Sequence, residues 1–112
     1  MDIPYGVNNL LESKLEDQIC SAVHNLGGIA IKVESPSKRG RADRLIILPG
    51  GVVFFVEVKR PDGKGQLSSH QLQFARDVRD LGVPVYVISQ FEEFAAIIAA
   101  LQRDARLPAS GG

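Results

Sequence analysis

Three charged residues in the middle of the chain have the types and the spacing of a metal site. Asp43 begins one apolar segment, and Glu57 and Lys59 end the next, with the turn formers Pro49-Gly50-Gly51 between the segments. This pattern predicts a β-hairpin, in which the start of one strand lies beside the end of its partner. Residues two apart in a strand point to one face, so Glu57 and Lys59 share a face near Asp43. Two carboxylates and an ammonium group gathered there predict a divalent-metal site with a charge stabiliser beside it.

A surface ion pair is the alternative interpretation of Glu57 and Lys59. Exposed pairs of this kind are common and contribute little to stability. The segment before them, Val52–Val56, is continuously apolar, which is typical of a central strand covered on both faces. Ionisable groups that continue such a strand are costly to bury without a partner or a metal. Together with the position of Asp43, this favours the metal site.

Hydrophobic periodicity and turn residues predict an α/β fold with a mixed central sheet flanked by helices, in the order αβββαβα. The predicted domain covers residues 10–104, after an irregular arm over 1–9 and before a disordered tail over 105–112. The predicted elements are a helix over 10–26, strands over 29–33, 43–48 and 52–59, a helix from Ser68 or Ser69 to Leu81, a strand over 83–88 and a helix over 91–101.

Composition narrows the class of protein. The chain has 112 residues and one cysteine, Cys20, which excludes an intrachain disulfide and a cysteine-rich zinc site. Its apolar runs are far shorter than the roughly 20 residues that span a bilayer. The first residues show no basic region followed by an apolar stretch, so no secretory signal is evident. These features predict a cytoplasmic protein without membrane association.

Charge is unevenly distributed along the chain. The 13 basic and 13 acidic residues give a net charge of zero, but residues 32–66 hold eight Lys or Arg and four acids. Basic residues around a metal site are what binding to a phosphate backbone requires; a solvated basic loop is the alternative. The predicted DNA-binding residues are Lys38, Arg39, Arg41, Arg44, Arg60 and Lys64.

The sequence resembles the virus-type replication-repair nuclease (VRR-NUC) group of the PD-(D/E)XK nuclease superfamily, especially its small phage members. Matching pieces cover roughly residues 10–95 in family order, with one departure, since Ala42 stands where the family usually has proline before its metal-binding aspartate. The matches are Glu12-Ser-Lys-Leu-Glu16, Leu26-Gly27-Gly28, Lys32, Ser35-Pro36, Arg39-Gly40-Arg41-Ala42-Asp43-Arg44, Pro49-Gly50-Gly51, Phe55-Val56-Glu57-Val58-Lys59, Gln71, and Leu81-Gly82 before Val85-Tyr86-Val87-Ile88.

The resemblance implies a restriction-endonuclease-like αβββαβ core and a metal-dependent deoxyribonuclease. In this interpretation Asp43, Glu57 and the Val58 carbonyl hold Mg²⁺ or Mn²⁺, hard cations that prefer oxygen ligands. Lys59 positions or helps to deprotonate the attacking water and balances the developing charge. The expected products carry a 5′-phosphate and a 3′-hydroxyl.

The carboxylate ligand from the first helix and the role of Gln71 each have two interpretations. Glu12 and Glu16 are four residues apart and share one face of the first helix. The spacing to Gly27 in most VRR-NUC sequences favours Glu12 as the helix ligand, whereas that of related junction resolvases favours Glu16, and both stay candidates. Gln71 matches a family position near the site; an exposed helical glutamine is the alternative.

The substrate follows from the resemblance rather than from a recognition motif. It implies four-way (Holliday) junctions or related branched DNA as substrate, a homodimer, and a phage or prophage origin. The last helix or the N-terminal arm is the expected dimer surface. Alternatives are a catalytically inactive DNA-binding module, a flap or nicking nuclease without junction preference, and a hydrolase based on His24 or His70.

Overall fold

A four-stranded mixed sheet forms the centre of the fold. The computed structural model of the chain describes the backbone of residues 5–33, 43–59 and 69–107, and the side chains of those residues apart from 5–12, 43 and 69–71. In chain order the elements are α1 (Tyr5–Asn25), β1 (Ile29–Lys32), β2 (Asp43–Leu48), β3 (Val52–Val58), α2 (Ser69–Asp80), β4 (Val85–Ile88) and α3 (Phe91–Arg103). The strands are ordered β1-β2-β3-β4. β1, β2 and β3 are antiparallel, and β4 joins β3 in parallel. This confirms the predicted α/β class with a mixed sheet flanked by helices.

The β2–β3 hairpin has the register that the sequence predicts. Leu48 pairs with Val52 across a three-residue turn whose two glycines, Gly50 and Gly51, have φ of 85° and 74°. Glycine adopts this left-handed conformation without the steric cost that a Cβ brings. From that turn the ladder runs without interruption to the pair Asp43 and Glu57 at the other end.

The two faces of β3 pack against different helices. Its even-numbered residues lie in the larger core cluster with buried side chains of α1 and α3, including Ile19, Val23 and Phe94. Phe55, on the other face, packs with Ala75 of α2 and Val85 of β4. A continuously apolar strand therefore has cover on both sides, as its composition predicted.

Helix α1 returns to the sheet through a tight turn at Gly27 and Gly28. Gly27 has φ of 83° and ends the helix in the left-handed conformation typical of this position. A Cβ on Gly28 would lie 2.5 Å from the Ile47 carbonyl oxygen and 2.7 Å from Leu48 Cδ2. Only glycine lets the chain pass this close to β2, so α1 and β1 are tied to the hairpin at this end.

The two ends of the domain differ from prediction. Helix α1 begins at Tyr5, inside the segment predicted as an irregular arm. Leu107, assigned to the disordered tail, is 3% exposed and belongs to the main core cluster. Ala105, with φ of 58°, reverses the chain after α3, and the amides of Arg106 and Leu107 both donate to the Leu101 carbonyl.

The predicted loops 35–41 and 60–66 and the end of the tail lie outside the described residues. None of the described helices combines the length and the apolar character needed to cross a bilayer.

Substituting Gly28 by alanine should destabilise the fold, because backbone and side-chain atoms of β2 already occupy the space of a Cβ. We expect a loss of about 1–3 kcal/mol, the usual cost of overpacking, measured by urea unfolding. Gly51→Asn is the matched control, since a Cβ there meets no atom within 4 Å and asparagine tolerates positive φ. Equal urea midpoints for Gly28→Ala and wild type would contradict this account.

Candidate active site at the edge of the sheet

Asp43 and Glu57 are direct cross-strand partners at one end of the hairpin. Side chains at such positions share a face, and their Cβ atoms lie about 4.5–5.5 Å apart. Like charges placed directly opposite each other destabilise a sheet, and a cation between them removes that repulsion. Carboxylate oxygens are the donors that Mg²⁺ and Mn²⁺ prefer; the side chain of Asp43 itself lies outside the described part.

Glu57 is the one buried charged side chain among those that the structure describes, with 3% of its surface exposed. It lies between Asp43 on β2 and Val87 on β4, on the face that α2 covers. A carboxylate in such a place is costly unless its charge is compensated. The position is thus better suited to binding a cation than to forming a surface ion pair.

Lys59 and Val58 complete the end of β3. The Lys59 amide donates to the Ile88 carbonyl at 2.7 Å, so the chain stays beside β4 after the strand ends. The Lys59 side chain is half-buried. The side chain of Val58 is 1% exposed in the core on the α1 face, so any ligand that Val58 supplies has to come from its main chain, as predicted.

The first turn of α2 lies at the same edge. β3 and β4 are parallel, so their carboxyl ends coincide, and α2, which precedes β4 in the chain, begins near that edge and runs away from it. Gln71 is the third residue of α2. The backbone of Gln71 therefore lies in the first turn of α2, while its side chain is outside the described part.

Arg44 and Glu16 form an ion pair that the sequence did not suggest. Arg44 Nε donates to Glu16 Oε1 at 2.7 Å, and Nη2 donates to the same oxygen. Nη1 donates to the Ala30 carbonyl at 3.4 Å. The two side chains are 20% and 14% exposed. Because successive strand residues point to opposite faces, Arg44, whose ladder partner is Val56, faces α1, whereas Glu57 lies on the other face of the sheet.

This pairing differs from the predictions for both residues. Arg44 was assigned to backbone phosphates, and its guanidinium is instead engaged inside the domain. Glu16 was one of two candidates for the helix ligand, and its carboxylate is bound to Arg44 on the sheet face opposite Glu57. Glu12 lies four residues earlier, about 6 Å further toward the helix start, with its side chain outside the described part.

The alternation of side chains along β2 was the signal in the sequence that could have placed Arg44 on the face of the sheet that α1 covers. Arg44 alternates in phase with Ile46 and Leu48, both of which are buried against α1. A charged residue in that row has to find a partner on the helix, and Glu16 follows Leu15 and precedes Ile19 on its core-facing side.

The other predicted DNA-binding residues, Lys38, Arg39, Arg41, Arg60 and Lys64, lie outside the described residues. So do the side chains of Asp43 and Glu12. Among the side chains that the structure does describe, no three His, Cys, Asp or Glu converge on one point.

Of the side chains that the structure describes, neither His24 nor Cys20 forms an alternative reactive centre. His24 is exposed in the last turn of α1, at the end of the helix away from Glu57, and the His70 side chain lies outside the described part. Burial raises the pKa of the Cys20 thiol; Arg44 acts to lower it, and Glu16 and Asp17 act to raise it. Cys20 is therefore protonated at neutral pH and is a poor nucleophile.

Comparison with known proteins was made by sequence and by structure. No family model matches the chain. A protein named "Putative nuclease p44", from Acyrthosiphon pisum secondary endosymbiont phage 1, is 39% identical over 93 residues, which make up 80% of this chain and 94% of the relative. A solved structure described as a VRR_NUC domain matches with a TM-score of 0.67 and 31% identity, covering 80% of this chain and 95% of that chain.

The mixed sheet with an acid pair at its edge defines a restriction-endonuclease-like α/β domain. Both relatives are matched over nearly their whole length at more than 30% identity. The chain belongs to the VRR-NUC family of nuclease domains. This confirms the family that the sequence motifs predicted.

The ionisation of Cys20 should report on the Glu16–Arg44 pair. Because burial raises the pKa of the thiol, alkylation by iodoacetamide should reach half of its maximal rate at a higher pH in the folded protein than in urea. Arg44→Met removes the charge that lowers this pKa and should move the midpoint higher still, whereas Glu16→Gln should move it lower. Lys14→Ala, an exposed change on α1, is the control. An identical midpoint in folded and unfolded protein would contradict the assignment.

Proposed function

We propose that this chain is a Mg²⁺- or Mn²⁺-dependent DNA endonuclease that hydrolyses phosphodiester bonds at the Asp43–Glu57 edge of the sheet. The single observation that carries the proposal is the cross-strand pairing of these two acids at the end of a strand in which Glu57 is buried. Membership of a nuclease family supports the same reaction class.

The residues at this edge have distinct roles in the proposal. The Asp43 and Glu57 carboxylates and the Val58 carbonyl hold the ion, and Glu12, rather than Glu16, supplies the carboxylate from α1. A bound ion of this type lowers the pKa of its water and offsets negative charge on the scissile phosphate. Glu12 is preferred because the Glu16 carboxylate already accepts hydrogen bonds from Arg44 on the opposite face.

Lys59 is the proposed positioning group for the attacking water. Lys59 is half-buried as a residue and follows the end of β3, two residues after Glu57. There it holds a water by hydrogen bonding and balances the charge that develops on the phosphate oxygens. Gln71, in the first turn of α2, is proposed to orient the same water or the phosphate.

Backbone phosphates are the proposed partners of the basic segments. Lys38, Arg39 and Arg41 precede β2 in the chain, and Arg60 and Lys64 follow Lys59. Both segments are therefore joined to described residues at the site edge. Contacts of this type give affinity rather than base specificity, which agrees with a nuclease that selects DNA by its shape.

The proposed substrate is a four-way junction or related branched DNA, as the resemblance implies. Glu57→Gln and Lys59→Ala should each reduce cleavage by at least about 100-fold, because Glu57→Gln removes a ligand charge from the ion that activates the water and groups that act on the water, as Lys59 does, contribute about 10²–10⁴-fold. The assay compares labelled junction, flap, single-stranded and linear duplex DNA in Mg²⁺, Mn²⁺ and EDTA. Asp80→Asn and Arg103→Gln, which alter exposed residues in the last turns of α2 and α3, are matched controls with expected wild-type activity.

The outcomes of this assay separate the alternatives. Metal-dependent cutting of the junction, lost in both variants, supports the proposal. Cutting without preference for the junction points to a flap or nicking nuclease. Binding without cutting by wild type in either metal points to an inactive DNA-binding module.

A homodimer is proposed to use the outer part of the sheet rather than α3. The apolar side of α3 is occupied by the core, since Phe94 is fully buried and Ile98 is 9% exposed. In contrast, Ile29 is 60% and Ile31 43% exposed on β1, the outer strand of the described sheet. These residues continue two cross-strand rows, Ile29–Ile47–Val53 and Ile31–Leu45–Phe55.

A second copy of the chain is the proposed occupant of this surface. The side chains in both rows are uncharged, so this apolar surface is complementary to the same surface of a second copy across a twofold axis. Aliphatic side chains offer no donors to phosphates, which argues against DNA as the occupant. The Asp43–Glu57 pair forms the next row along the same face, so a symmetric contact would bring the two sites to one side of the dimer.

The double substitution Ile29→Lys and Ile31→Lys should convert the proposed dimer to a monomer, because it places two charges in an apolar contact. Light scattering after size exclusion measures the mass. Leu81→Lys is the control, since Leu81 is 83% exposed at the far end of α2. A monomeric wild type, or a variant that stays dimeric, would overturn this surface.

A further inference from the structure

The ion pair between Glu16 and Arg44 joins three elements at the level of the site. The Arg44 backbone belongs to β2, while its guanidinium donates to Glu16 on α1 and to the Ala30 carbonyl on β1. The planar guanidinium of Arg44 fixes the direction of these hydrogen bonds as well as their length, because its N–H groups point in fixed directions. The contact therefore sets the orientation of α1 relative to the first residues of β2.

Asp43 lies one residue beyond the last described pair of the β1–β2 ladder. In the β1–β2 ladder the last pair is Lys32 with Arg44, and β1 ends there. The described ladder pairs Asp43 with Glu57 on β3, and Glu57 carries the same charge. The next residue, Arg44, is the nearest point at which β2 is fixed from both sides and from α1.

Stability alone does not account for a pair in this place. The two side chains are 20% and 14% exposed, close to the apolar cluster that contains Leu15, Ile19 and Val56. Well-packed apolar residues are often as stabilising as a buried ion pair, since taking charges out of water is costly. What an ion pair supplies, and an apolar contact does not, is a defined geometry.

We infer that Glu16 and Arg44 are positioning residues that hold the start of β2 and the first turns of α1 in the arrangement in which Asp43 and Glu12 approach one cation. The inference rests on the proposed function. It assigns to Arg44 and Glu16 an internal role in place of phosphate or metal binding. Neither side chain touches the ion or the DNA.

The first experiment measures metal binding without catalysis. Mn²⁺ affinity is determined by electron paramagnetic resonance on DNA-free protein carrying Lys59→Ala, which keeps the carboxylates. Added to this background, Arg44→Lys and Glu16→Gln should each weaken Mn²⁺ binding about tenfold, because Arg44→Lys removes the guanidinium fork and Glu16→Gln its charged acceptor.

The matched controls make the same types of substitution at residues outside the Glu16–Arg44 pair. Arg79→Lys alters an arginine that also donates to a strand carbonyl, that of Val85 at 3.3 Å, but lies on α2. Asp17→Asn alters the exposed acid next to Glu16 on the same helix. Both should leave Mn²⁺ affinity unchanged.

The double variant Glu16→Leu with Arg44→Met separates positioning from stability. An apolar pair should restore the thermal midpoint to that of wild type or above, while Mn²⁺ affinity stays weakened. Recovery of both the midpoint and the affinity would show that the pair is only structural and would overturn the inference. So would wild-type affinity in Arg44→Lys and Glu16→Gln.

Failure of the inference is distinguishable from failure of the proposed function. If the Lys59→Ala parent binds no Mn²⁺ and wild type cuts no DNA, the metal-dependent nuclease is itself wrong. If the parent binds Mn²⁺ and wild type cuts DNA, but the single variants match the parent, only the positioning role is lost.

Discussion

The antiparallel register between β2 and β3 is the constraint on which the site depends. Because side chains alternate along a strand, a slip of one residue would move every β2 side chain to the other face. Asp43 would then face α1, and Arg44 would face Glu57. The register is secured at the turn by Gly50 and Gly51 and along the strands by apolar packing on both faces. The chemistry at the edge is thus specified by packing that begins five residue pairs away.

This arrangement places opposing demands on β3. A strand covered on both faces gives the strongest packing, and β3 supplies Phe54 to one core and Phe55 to the other. The same cover makes the charged carboxylate of Glu57, the last acid of the strand, costly to bury unless its charge is compensated. The position of Glu57 at the end of the strand meets both demands. The ladder holds its backbone rigidly, and its carboxylate lies at the edge where the sheet ends.

Much of the fold and of the candidate site could be predicted from the sequence, and the features that could not be predicted have physical causes. The hairpin, its apolar second strand and the sides of Glu57 and Val58 follow from alternation, which is a local property. The start of α1 was missed because Pro4, Gly6 and paired asparagines oppose helix formation, yet the helix begins at Tyr5. Leu107 was missed because its burial depends on the left-handed turn at Ala105. The Glu16–Arg44 contact joins residues 28 apart, and no local pattern specifies which helix residue meets a given strand.

The last described residue, Leu107, and the acid Glu57 lie at opposite ends of the domain. Arg106 and Leu107 lie beside the hairpin turn, where a Cβ on Gly50 would be 3.4 Å from the Arg106 carbonyl oxygen. Glu57 lies five residues along β3 from Val52, about 17 Å from that turn. Leu107, the last described residue, therefore lies at the pole opposite the acidic edge. A neighbouring module could therefore be attached there in evolution or by engineering without obstructing the approach of a bulky polyanion to the other pole.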